Sequence, residues 1–172
     1  MKFNIPNSLT LIRILLIPII VFLFLSNQEG YRFIIFSLFL LATITDYLDG
    51  FFARYMKQVT NFGVFLDPVA DKLLVIITLI LLITENQDIF FLIPVLIIVT
   101  REFLVIAIRQ RLAEVGDSIK LSVLLISKVK TAIQLISLLL LLFKFPIFGI
   151  DIYQLGIHLL QIASLLTLIS FF

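Results

Sequence analysis

The stretch DYLDGFFARYMKQVTNFGVFLDPVAD, from Asp46 to Asp71, places four carboxylates in a 172-residue chain that is 62% hydrophobic. Ionisable groups inside a membrane domain are costly and mark functional positions. Their spacing is helical. Asp46 and Asp49 are three residues apart, on a face they share with Gly50 and Ala53. Asp67 and Asp71 are four apart, with Gly63 one turn before them and Ala70 beside them. Two helical faces therefore carry carboxylates on a floor of small residues. The polar segment from Tyr55 to Asn61 has the length of a helix–helix connection, so a hairpin would bring the acidic faces together near one membrane surface.

Clustered carboxylates repel one another until protons or cations relieve them. Hard oxygen ligands suit Mg²⁺ or Mn²⁺, and a pair of divalent ions would balance the four charges. Paired metals about 4 Å apart are a known clamp for phosphoryl transfer. Gly50, Ala53 and Gly63 would let a bulky phosphate ligand approach the backbone, and the planar fork of Arg54 suits phosphate oxygens. These residues predict a divalent-metal phosphate site at a membrane surface.

The whole pattern, Asp46-x-x-Asp49-Gly50-x-x-Ala53-Arg54, eight residues, then Gly63-x-x-x-Asp67-x-x-x-Asp71, resembles the signature of the CDP-alcohol phosphatidyltransferases. That resemblance implies transfer of a phosphatidyl group from CDP-diacylglycerol to an alcohol, with release of CMP. It implies binding of CDP-diacylglycerol by Asp49, Gly50, Ala53, Arg54 and Gly63, and a homodimer. We expect Asp46, Asp49 and Asp67 to bind metal, with Asp71 sharing a ligand position or acting as base; the family implies the base.

Other segments resemble the branch of that family whose acceptor is glycerol 3-phosphate. They are Asn4-Ile5-Pro6-Asn7, Thr100-Arg101-Glu102-Phe103, Leu112-Ala113-Glu114-Val115-Gly116 and Lys128-Val129-Lys130-Thr131. One departure is Ser127, where the branch typically has Gly. An anionic acceptor needs cations, and Arg101, Arg109, Lys128 and Lys130 are the candidates. On an ideal helix Lys128 and Lys130 point about 200° apart, so both do not touch one phosphate. Lys130 lies on the polar stripe Ser127, Lys130, Thr131, Gln134 and is the stronger of the two. Phosphatidylglycerol, serine and inositol phosphate are the alternative acceptors. The rival class is a small cation transporter, which would place the carboxylates along a pore.

Outward from the acidic stretch, the chain reads as one all-α integral membrane domain, 1–172, with the fold of that family. Six spans are expected over about Leu9–Leu25, Arg32–Arg54, Phe62–Thr84, Ile89–Leu112, Lys120–Phe143 and Ile152 to the end. Asn7 or Ser8 is the expected cap of the first helix. Before it enters the bilayer, Lys2, Asn4, Asn7, Thr10 and Arg13 make the opening amphipathic, a short interfacial segment rather than a signal peptide. Arg13 suits either the nucleotide site or lipid headgroups. Glu102 and Arg109 share a face, consistent with an ion pair or a polar cleft wall.

Six spans put Lys2, Arg54, Lys57, Arg109, Arg111 and Lys120 on one side, against Arg32 and Lys144 opposite. The positive-inside rule makes the first side cytoplasmic, which puts the aspartates in the cytoplasmic leaflet, and the resemblance implies that the membrane is a bacterial inner membrane. The chain has no cysteine, which excludes a thiolate metal site or cysteine nucleophile. A net charge of +2 from scattered basic residues gives no nucleic-acid footprint. The one histidine, His158, reads as interfacial or structural.

Overall fold

The computed structural model describes residues 5–26, 28, 30–56, 61–115, 125–146, 149 and 151–170. Side chains are described for these residues except at 5–9, 46–56, 61–68, 71, 109–110, 112–115 and 125–127. Among them every regular element is helical: α1 (Ile5–Leu25), α2 (Tyr31–Met56), α3 (Asn61–Glu85), α4 (Ile89–Val115), α5 (Leu125–Phe143) and α6 (Ile152–Ile169). The six expected helices are all present, with shifted ends.

Helix α1 begins at Ile5, ahead of Asn7 and Ser8, so neither of these is its cap. Pro6 falls in the first turn, where a missing N–H costs no helical hydrogen bond. Lys2 and Asn4 of the expected interfacial segment, and the expected first turn of α5 from Lys120, lie outside the described residues. The breaks follow the polar clusters. The Asp88 carboxylate accepts from the Phe90 N–H at 3.3 Å at the start of α4. The Asp151 carboxylate accepts from the N–H groups of Tyr153 and Gln154 at the start of α6. Both are N-cap hydrogen bonds that satisfy first-turn donors.

Packing divides the chain into two compact units, Met1–Leu81 with Leu142–Lys144, and Leu82–Leu141 with Phe145–Phe172. In the first, α1 packs on α2. The buried positions of α1 are Thr10, Arg13, Ile17, Ile20 and Phe24, whose three-and-four spacing draws one seam along the helix. Ile35, Phe39 and Ala42 supply the facing seam of α2. Arg13 is 1% exposed, so it is built into that packing and does not reach outward to headgroups. The Arg32 guanidinium lies over the Phe24 ring at 5.2 Å from its centroid. Phe36 meets Phe143 edge-on at 5.1 Å.

In the second unit α4 packs on α6. Gln161 donates to the Phe90 carbonyl near the start of α4, and Arg101 donates to Ser170 at the end of α6, so these helices run in the same direction. Helix α5 runs against them: Ser137 donates to the Gly156 carbonyl, whereas Lys130 reaches Glu102. Gly156 is required by close approach, since a Cβ there would lie 2.9 Å from Leu141 Cγ and 3.2 Å from its backbone nitrogen.

This unit buries polar residues within an apolar core and is apolar outside. Glu102, Lys130, Gln134, Ser137, Ser164 and Thr167 are buried, whereas Phe90, Leu96, Phe103, Ile162, Leu165 and Ile169 are exposed. A protein folded against water shows the opposite gradient. Two described helical stretches, Ile89–Ile108 and Ile152–Ile169, are long and apolar enough to cross a membrane, and shorter apolar stretches occur at Thr10–Leu25 and Tyr31–Thr45.

Candidate active site

The acidic positions divide between two helices of the first unit. Helix α2 carries Asp46, Asp49, Gly50, Ala53 and Arg54, and α3 carries Gly63, Asp67 and Asp71. Both runs are helical, so the three- and four-residue spacings place each aspartate pair on one side of its helix. The side chains of all these residues lie outside the described set. Among the described side chains, no three His, Asp or Glu come together. The donor set itself, four carboxylates at helical spacing on two helices of one unit, has the chemistry that a hard divalent cation requires.

The candidate acceptor cations lie in the second unit, and there the side chains are described in detail. Lys130 is 2% exposed, and its Nζ donates to Glu102 Oε1 at 2.6 Å. Glu102 is itself 1% exposed. The same carboxylate oxygen receives Arg101 Nη1 at 3.4 Å, and Arg101 Nη2 donates to Ser170 Oγ at 3.3 Å. Ser170 in turn donates to the Thr167 carbonyl. One carboxylate thus gathers two cations and joins α4, α5 and the end of α6. A charge-assisted contact of this length between buried partners is strong, and removing either partner would strand a charge in a medium that cannot solvate it.

Of the four expected acceptor cations, the structure therefore brings Arg101 and Lys130 together. Lys128 is exposed and points elsewhere, as the helical angle requires. Arg109 lies on α4, with its side chain outside the described set. Glu102 pairs with Lys130 across helices and with its neighbour Arg101, and the expected Glu102–Arg109 contact lies outside the described side chains. Ser127 lies outside the described side chains, and the polar stripe of α5 continues beyond the expected residues. Its buried members are Lys130, Gln134 and Ser137, which fall within about 60° of one another on a helix, whereas Thr131 is exposed.

Sequence reading singled out Glu102 as an ion-pair or cleft-wall residue, because a carboxylate midway along an apolar helix needs a partner, but it missed Lys130 as that partner and Ser170 as a contributor. Ser170 left no signal. His158 is exposed, with its ring 3.4 Å from Gln161 Oε1, consistent with a peripheral role.

Comparison with known proteins covers the chain almost completely. The family model for CDP-alcohol phosphatidyltransferase matches residues 3–170. A CDP-diacylglycerol–glycerol-3-phosphate 3-phosphatidyltransferase of Wigglesworthia glossinidia brevipalpis is 42% identical, over 100% of this chain and 94% of its own length. Proteins of the same name from Haemophilus influenzae and Escherichia coli K12 are 41% and 40% identical, each over 99% of this chain and over 90% and 92% of their own lengths.

Proposed function

The chain belongs to the CDP-alcohol phosphatidyltransferase family, and from that premise we propose that it transfers the phosphatidyl group of CDP-diacylglycerol to sn-glycerol 3-phosphate, giving phosphatidylglycerophosphate and CMP. The observation that carries the reading is identity of 40–42%, over nearly full length, to relatives named for that reaction. The buried Arg101–Glu102–Lys130 cluster favours an acceptor that bears a phosphate over a neutral or zwitterionic alcohol such as serine.

In this reading the acceptor hydroxyl oxygen attacks the phosphorus that bears diacylglycerol. The pyrophosphate P–O bond breaks, its electron pair leaves with CMP, and the hydroxyl proton passes to Asp71. Asp46, Asp49 and Asp67, with Asp71 at a shared position, hold a pair of divalent ions, Mg²⁺ or Mn²⁺, and such ions when bound neutralise charge on the phosphates. Asp49, Gly50, Ala53, Arg54 and Gly63 seat CDP-diacylglycerol. Arg54 supplies a guanidinium fork and the small residues leave space for the pyrophosphate. Arg101 and Lys130 bind the acceptor phosphate, with Arg109 on the same helix as Arg101, and Lys128 at the margin. Histidine takes no part, and attack is direct.

The protein works as one membrane domain of six spans, as a homodimer, with its aspartates in the cytoplasmic leaflet of the bacterial inner membrane. Two observations support the topology. In the second unit α4, α5 and α6 alternate in direction, as successive spans must. In the first, Arg32 at the start of α2 and Lys144 just past α5 are near enough for their charges to interact, and six spans put both on the non-cytoplasmic side.

The test is CMP release by purified protein in detergent micelles, supplied with CDP-diacylglycerol, Mg²⁺ or Mn²⁺ and a panel of acceptor alcohols, with the lipid product identified by mass. Release that requires glycerol 3-phosphate is expected. Release with a different acceptor would keep the reaction class and move the acceptor, and folded protein that releases CMP with none would end the reading.

A further inference from the structure

The acceptor reading names cations and leaves open what holds them in place. Lysine is poorly suited to act alone as a positioned charge, since its ammonium rides on a flexible four-carbon stem. Here the stem is buried and the ammonium is fixed at 2.6 Å from Glu102 Oε1, inside a unit whose outer surface is apolar. The neighbouring Arg101 is drawn to the same oxygen and anchored by Ser170. The carboxylate comes from α4, Lys130 from α5 and Ser170 from the end of α6, so the position of both cations is set by helix packing. Glu102 occupies one of the three donors that an ammonium carries.

We propose that Glu102 is the positioning residue of the acceptor site: its buried carboxylate holds the Lys130 ammonium and the Arg101 guanidinium in the register in which they meet the phosphate of the acceptor. This rests on the acceptor reading given above. Glu102 itself does not touch the acceptor, because a carboxylate repels a phosphate. Its effect passes through the cations, and it discriminates by geometry.

The experiment is a double-mutant cycle on the full-length protein in micelles, with KM for glycerol 3-phosphate and for CDP-diacylglycerol measured separately from kcat. Lys130→Met comes first. It should raise the acceptor KM by roughly tenfold or more and change the lipid KM by less than about twofold. Glu102→Gln keeps the size of the side chain and removes its charge, and should shift the acceptor KM in the same way. Combined, the two changes should cost little more than Lys130→Met alone, the signature of residues that act as a unit. Glu102→Asp keeps the charge and moves it by one methylene, and should recover part of the loss.

Three results overturn the proposal while the acceptor reading stands: Glu102→Gln leaves the acceptor KM unchanged, raises both KM values equally, or adds its full effect to that of Lys130→Met. If Glu102→Gln does not fold, Glu102→Asp decides, and an unchanged acceptor KM there also overturns it. An unchanged acceptor KM in folded Lys130→Met removes the acceptor reading, and the proposal with it.

Discussion

The two polar regions of this chain balance their charge in opposite ways. Between Asp46 and Asp71, four aspartates stand against Arg54 and Lys57, leaving the stretch with a surplus of negative charge. In the second unit the buried carboxylate of Glu102 is flanked by Arg101 and Lys130, so the cluster carries its own counter-ion. In the proposed function the first region recruits cations from solution and is completed by what it binds. The second is ordered by its own side chains before any ligand arrives, which lowers the cost of organising a binding site. The proposed function assigns chemistry to the first and recognition to the second.

The sharpest way to break this division is at Asp71. Asp71→Asn keeps the size of the side chain and removes the proton acceptor, so kcat should fall by roughly 10²–10⁴-fold. CDP-diacylglycerol binding, measured at equilibrium, should largely persist. A variant with near-normal turnover would take the base role away from Asp71.

A smaller and more selective effect is expected among the lysines. Lys130→Met should act on the acceptor KM, whereas Lys128→Ala should change either KM by less than about twofold. The distinction rests on burial, because Lys130 is enclosed with Glu102 and Lys128 is exposed. Equal effects at both positions would mean that the lysines act as surface charges, and the contrast between the two regions would lose its basis.

These two regions also differ in how far they can be read from sequence. The aspartates announce themselves because the information is local: spacings of three and four along one helix survive any arrangement of the helices. Helix number follows from the same kind of evidence, polar breaks such as Asn86-Gln87-Asp88 between apolar runs. The Lys130–Glu102 pair spans 28 residues and two helices, and the Arg101–Ser170 contact spans 69. No periodicity along a single helix records which helix packs against which. The stripe on α5 pointed to Thr131, when the buried face runs through Ser137 because Ser137 is what meets Gly156. Residues at helix starts shifted for a simpler reason. Pro6 is tolerated in a first turn, so α1 begins before the polar residues that looked like its cap.

Crowding the α5–α6 contact at Gly156, about two turns or more along α5 from Lys130, should lower stability without touching substrate recognition. Gly156→Ala drives a methyl against Leu141, whose side chain is fully buried and whose backbone nitrogen lies 3.2 Å from the new atom. Overpacking of this kind costs about 1–3 kcal/mol. The thermal midpoint in detergent should drop, with both KM values of the folded protein preserved. A shift confined to the acceptor KM would show instead that this contact sets the geometry at Lys130.

The smallest effect is expected at Lys144, which belongs to neither polar region. Its φ of 56° is in the left-handed region, where a side chain costs about 1–2 kcal/mol relative to glycine. Its charge gains little in return, because desolvation, followed by the nearby positive charge of Arg32, lowers the amine below the usual lysine range. Lys144→Gly should therefore stabilise the protein, by about 1 kcal/mol after the greater freedom of glycine in the unfolded chain is counted. The lysine itself also predicts a pH dependence. Between its lowered folded pKa and the ordinary lysine value the unfolded chain binds more protons, so the stability of the wild type rises with pH through that window. The rise should be weaker in Lys144→Gly. Thermal midpoints of both proteins across the alkaline range would decide it. A variant that is less stable at neutral pH, with a deficit that fades as the lysine deprotonates, would mean that the lysine charge is favourable where it stands, in keeping with a cation at the C-terminal end of a helix.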